Sequence, residues 1–138
     1  MGCLFISFLG NESWECVRLR IQDEDHKSRI LQAIGDEDKR RIFTLMVRKA
    51  KSASDLSFET HMPLSSVYRH VHELNSAGLL AVEQFIINDQ GKKVEMFRSV
   101  VESISLNLES SVIDMNIQPK EDMQSRFYRL WSSLKEVK

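Results

Sequence analysis

A chain of 138 residues is long enough for one domain, or for a small domain with an extension. Its 42% hydrophobic and 28% charged residues are ordinary for a folded soluble protein, and a net charge of -1 excludes a polycation, so a nucleic-acid partner would need a local basic surface. Cys3 and Cys16 lie in no CxxC pattern, which argues against a disulfide framework or a zinc knuckle and suits a reducing cytoplasm.

The chain opens on "CLFISFL", residues 3–9. The run is too short to span a bilayer, and no basic residue precedes it as a secretory signal requires. "MGCLFIS" misses a myristoylation pattern because Ile6 stands where Ser or Thr is wanted. Residues 1–27 are therefore read as a weakly specified segment, a short strand or a docked tail, with no membrane partner.

From residue 28 the pattern turns helical. Ile30, Leu31 and Ile34 form one apolar stripe, closed by Gly35. Asp36 can cap a second helix, with Glu37 and Asp38 favourable at its positive end. Ile42, Leu45 and Met46 recur at helical spacing there, and Arg40, Arg41, Arg48, Lys49 and Lys51 form a basic cluster expected on the same helix. Ser52 or Ser54 can cap a short helix holding Leu56, which His61 would end. His61 stands at a turn position, where His tolerates left-handed backbone better than most residues. A further helix is predicted over residues 63–77, opened by Pro63 and stopped by Gly78.

After Gly78 the period changes. "LLAVEQFIIND" and "KVEMFRSV" flank "DQGK", which reads as a β-hairpin with Gly91 free to take positive φ. A second hairpin follows: Ile104, Leu106 and Leu108 alternate with polar residues, as do Ile113, Met115 and Ile117, around a turn at residues 109–111. Pro119 is expected to open a last helix, in which Met123, Phe127, Leu130, Leu134 and Val137 step by 4, 3, 4 and 3. That is the seam of a short coiled coil. Met123, Phe127, Leu130, Trp131 and Leu134 are expected to join two subunits, the alternative being a helix packed on its own domain.

The stretch "SASDLSFETHMPLSSVYRHVHELNSAGLL" followed by a hairpin resembles the winged helix-turn-helix DNA-binding family, most closely ArsR-like transcriptional regulators of the archaeal type. The resemblance covers residues 28–101 and implies an α+β fold, a winged helix-turn-helix with a three-helix core and a β-hairpin wing. Residues 102–138 would add the second hairpin and terminal helix, for dimerisation. The resemblance also implies that the helix at 63–77 enters the major groove of double-stranded DNA, with the wing, residues 81–98, on adjacent backbone or minor groove.

Helix geometry supports this independently. At about 100° per residue, Leu64, Val67, Val71 and Leu74 share one arc. Ser65, Arg69 and His72 lie near the opposite side, with Ser66, Tyr68 and Glu73 at the edges. Short hydroxyls, an arginine, a tyrosine and a histidine are groups that bond phosphates and base edges. Lys92 and Lys93 at the hairpin tip suit phosphate. Glu73 counts against DNA unless something neutralises it or it accepts from cytosine.

His61, His70, His72 and Glu73 together suggest a metal site, but chelation from one helix needs i, i+3 or i+4 spacing. His70 and His72 point about 160° apart, which puts His70 at the core edge. The family's cysteine pair for metal sensing is missing from "SDLSFETHM". No catalytic residue can be named, no enzyme activity is expected, and no metal or cofactor is implied. A small-molecule effector is left open; Phe127, Tyr128 and Trp131 could wall a pocket, although core or dimer packing explains them as well. The expected function is a cytoplasmic, homodimeric, sequence-specific transcriptional regulator. The competing one is a winged-helix protein-interaction module in a transcription or chromatin assembly, kept open because residues 36–98 carry ten Lys and Arg against nine Asp and Glu.

Overall fold

The computed structural model describes residues 19–109 and 111–136. In chain order these form β1 (Leu19–Ile21), α1 (Glu24–Gly35), α2 (Glu37–Leu45), α3 (Ala53–Thr60), α4 (Leu64–Ser76), β2 (Leu80–Ile87), β3 (Lys93–Ser99), β4 (Val101–Asn107), β5 (Asp114–Pro119), a single 3-10 turn (Glu121–Met123) and α5 (Gln124–Glu136). The apolar run at residues 3–9 and Val137 lie outside the described residues.

Local chemistry sets the helix boundaries. Asp36 ends α1 and caps α2, its carboxylate accepting from the amides of Asp38 at 2.9 Å and Lys39 at 3.5 Å. Burial alone would raise its pKa; those amides and the Lys39 charge outweigh it, so the carboxyl sits below its ordinary value. Ser52 and Asp55 form a reciprocal capping box on α3, with both bonds 3.1 Å long. His61 ends α3 in the left-handed region, at φ 61°. Pro63 is the N-cap of α4 rather than its first helical residue, and Gly78, at φ 82°, turns the chain out of it.

Two sheets follow. β2 and β3 form the predicted hairpin, closed by a turn in which the Asn88 side chain accepts from the amides of Gln90 and Lys92 and Gly91 takes φ 76°. The second hairpin belongs to a larger sheet with the order β1-β5-β4, in which Leu19 pairs with Ile117 and Ile21 with Met115. The residues read as a separate N-terminal segment and those read as a C-terminal extension thus share one sheet, and α1 begins before residue 28. Pro119 closes β5 instead of opening the last helix.

α1 to α4 and the β2–β3 hairpin make the winged helix-turn-helix. Its core is continuous with the other sheet: Ile30, Ile42, Leu56, Val67, Leu74, Leu80, Met115, Ile117 and Phe127 are all fully buried in one cluster. α5 docks on this body through several bonds. Trp131 Nε1 donates to the Gly78 carbonyl at 2.9 Å, and Arg126 donates to the Glu83 carbonyl at 2.8 Å. Arg98 bridges Glu83 at 3.1 Å and Asp122 at 2.6 Å.

That docking corrects the coiled-coil expectation. Met123, Phe127 and Trp131 are buried in the chain's own core, with Leu130 packed at its margin and Leu134 half-buried. The stripe has the right period, but its partner is the parent domain. The rings also fill their own space: Phe127 stacks on Trp131 with centroids 4.9 Å apart and meets Tyr128 edge-on.

Candidate nucleic-acid interface

α4 is amphipathic. Val67, His70, Val71 and Leu74 are buried, and Ser65, Tyr68, Arg69 and His72 are exposed on the outward arc, with Ser66 half-buried beside them. The five predicted side chains of this helix therefore share one surface. Leu64, expected in the core, is 42% exposed at the start of the same helix. Side chains of a helix lean towards its N-terminus, so the first residue leans past the core contact.

The three histidines of the stretch fall in three environments. His61 is exposed at the turn, His70 is buried and His72 is exposed. Among the described residues no three His, Cys, Asp or Glu side chains converge to hold a metal ion.

Ion pairs are unevenly distributed among the cationic side chains. Lys39 reaches from α2 to pair with Glu73, so the acid on α4 that would repel phosphate already has a cation. Sequence reasoning missed this because the pair joins two different helices. Lys27, Lys51, Arg98, Arg20 and Lys120 are likewise held by carboxylates. Arg69, Lys92 and Lys93 make no such pair among the described residues, and neither do Arg29, Arg48, Lys49 and Arg129. The near-neutral total charge thus hides an uneven distribution. Arg69 is exposed and carries a planar fork able to bond a guanine edge or a phosphate.

Lys92 and Lys93 sit at the hairpin tip, on a separate element from the α4 face. Lys93 Nζ lies 4.0 Å from the centroid of the Phe85 ring, which holds the ammonium on one face of the wing. The basic cluster placed on the second helix is split: α2 ends at Leu45, so Arg48 and Lys49 lie in the following loop and Lys51 bridges to β3 opposite Phe97. Arg40 and Arg41 remain on α2, bonding the carbonyls of Ile34 and Thr60. Among the described residues, no helix is long and apolar enough to cross a membrane.

No protein-family model matches the sequence, and no curated protein matches it. Among solved structures, the chain is similar to the homodimeric winged helix-turn-helix DNA-binding domain (fragment 1–100) of Mb0332 from Mycobacterium bovis, a possible ArsR-family transcriptional regulator, at 15% identity and a TM-score of 0.47 over 83% of this chain and 89% of that one. It is also similar to HlyU from Vibrio cholerae, at 13% identity and a TM-score of 0.39 over 79% and 94% of the two chains. A third similar structure, an ArsR family transcriptional regulator, has 16% identity and a TM-score of 0.40 over 84% and 93%.

Proposed function

We propose that the chain is a transcriptional regulator that binds duplex DNA sequence-specifically as a homodimer, ArsR-like and of the archaeal type. In this reading α4 enters the major groove and the β2–β3 wing lies on adjacent backbone or minor groove. The observation that carries it is the charge arrangement on α4. Arg69 stands exposed and unpaired among hydroxyl, phenol and imidazole groups, while the neighbouring Glu73 is neutralised from behind by Lys39. Groups of these kinds bond phosphates and base edges.

The test is a selection of bound sequences from random duplexes, followed by binding titrations at two salt concentrations. The wild type should bind a preferred sequence and lose affinity steeply as salt rises. Arg69→Ala should cost about 1–3 kcal/mol on the preferred site and relax the preference at one base pair. Unchanged affinity and preference in that variant would refute the role given to α4.

A second reading, a protein-interaction module, is favoured by the exposure of Phe58 at 82% and of Phe85 and Ile87 on the wing at 51% and 69%. No duplex binding at low salt would select it.

A further inference from the structure

The burial of the α5 stripe leaves the homodimer of the previous section without its expected interface. The structure offers another. β4 is the edge of the β1-β5-β4 sheet, with β5 on one side only among the described residues. Edge strands normally carry lysine, proline or other charge that deters pairing. Residues 103–108 carry none: the segment reads Ser, Ile, Ser, Leu, Asn, Leu. The bulge on β4 lies at its start, between Val101 and Ser103, so the stretch beyond is regular. Ile104 and Leu106 pair with the buried Ile117 and Met115 of β5 and share their face of the sheet. Ile104 is only partly covered, and Leu106 and Leu108 are 49% and 72% exposed. An apolar surface continuous with the core therefore runs out to an edge that is open among the described residues.

We infer that this edge pairs antiparallel with the same edge of a second copy, giving one continuous sheet across a two-fold axis at Ser105. The sequence of the strand selects the occupant. About that axis Ile104 of each strand lies against Leu106 of the other, Ser103 against Asn107, and Ser105 against itself. Over residues 103–107 each apolar residue meets an apolar one and no charge meets its like, while at either end Leu108 falls against Glu102. A charged guest strand would lose these matches. Glu102, at the margin, already has Lys120 as its cation. A two-fold contact of this kind is self-complementary by construction and closes at two subunits.

The inference rests on the homodimer part of the proposed function but not on DNA binding. It is tested on the full chain without DNA. Sedimentation should show a dimer for the wild type, and Leu106→Lys should raise its dissociation constant at least about tenfold, as charge on an open edge does. In a Cys3→Ser, Cys16→Ser background, Ser105→Cys should form an intermolecular disulfide on mild oxidation, because paired Cα atoms about 4.5–5.5 Å apart match disulfide geometry. Glu109→Cys should not, since its two copies would stand about 26 Å apart at strand rise. A monomeric wild type would overturn the homodimer and this interface together. A wild-type dimer that survives Leu106→Lys and gives no Ser105→Cys link would overturn the edge pairing alone.

Discussion

Gly78 is where α4 is tied to the rest of the molecule, and Gly78→Ala should show how tightly. The residue sits at φ 82°, and a Cβ there would lie 2.8 Å from Trp131 Nε1, 3.1 Å from its Cε2 and 3.2 Å from Leu134 Cδ1. A left-handed alanine costs about 1–2 kcal/mol. Displacing a packed indole adds about 1–3 kcal/mol, more if the bond from Trp131 Nε1 to the Gly78 carbonyl is lost with it. The expected loss is therefore about 2–5 kcal/mol, a large share of the stability of a small domain. Urea unfolding measures it through the midpoint. Trp131→Leu removes the obstructing ring, so in that background Gly78→Ala should cost only its backbone part and the smaller adjustment of Leu134. The cycle should show a coupling of at least about 1 kcal/mol. A loss below about 0.5 kcal/mol, or strict additivity, would refute the claim that Gly78 is fitted to Trp131.

Two further changes test other joints. His61→Gly should stabilise the fold by about 1 kcal/mol, raising Tm by roughly 2–4 °C in a scan, because it relieves a left-handed non-glycine residue; an unchanged or lower Tm would mean that the histidine makes a compensating contact. Asp122 is pushed up by burial but pulled further down by the hydrogen bond and charge of Arg98, and so sits below its ordinary pKa. A lowered carboxyl stabilises above its unfolded pKa and loses that contribution as pH falls through the folded value. The stability gap between wild type and Asp122→Asn should thus be steady above about pH 5 and close below about pH 4. It should stay under about 1 kcal/mol because the side chain is 59% exposed; a gap that widens in acid would contradict the assignment.

What was legible in the sequence was what neighbouring residues decide. The Asp36 and Ser52 caps, the left-handed His61, the stop at Gly78 and the Gly91 turn all follow from interactions within a few residues. The outward face of α4 was equally readable, since helical period alone separates Arg69 and His72 from Val67 and Val71. Period does not say what covers a stripe, and so α5 was given the wrong partner. Three residues of β1 carry too little pattern to announce a strand, and their mates on β5 lie at the other end of the chain. The pairing of Glu73 with Lys39 is illegible for the same reason: it depends on how α2 packs on α4.

The same long-range contacts bear on what the minimal folding unit is. The sequence suggested a winged helix over residues 28–101 with an appended remainder. In the structure the two carbonyls after α4 are both satisfied from outside that span: Ala77 by His26 Nε2 at 2.8 Å and Gly78 by Trp131 Nε1 at 2.9 Å. The flanking segments also supply Leu19, Ile21, Met115, Ile117, Met123, Phe127 and Trp131 to the core cluster. A fragment cut at 28 and 101 would leave buried acceptors without donors and the inner side of α4 and β2 without cover. It should lack the cooperative urea transition and the dispersed amide spectrum of the full chain. A fragment that unfolds in one cooperative step, with an m value in proportion to its length, would show that α5 and the β1-β5-β4 sheet are accessories to a self-sufficient winged helix.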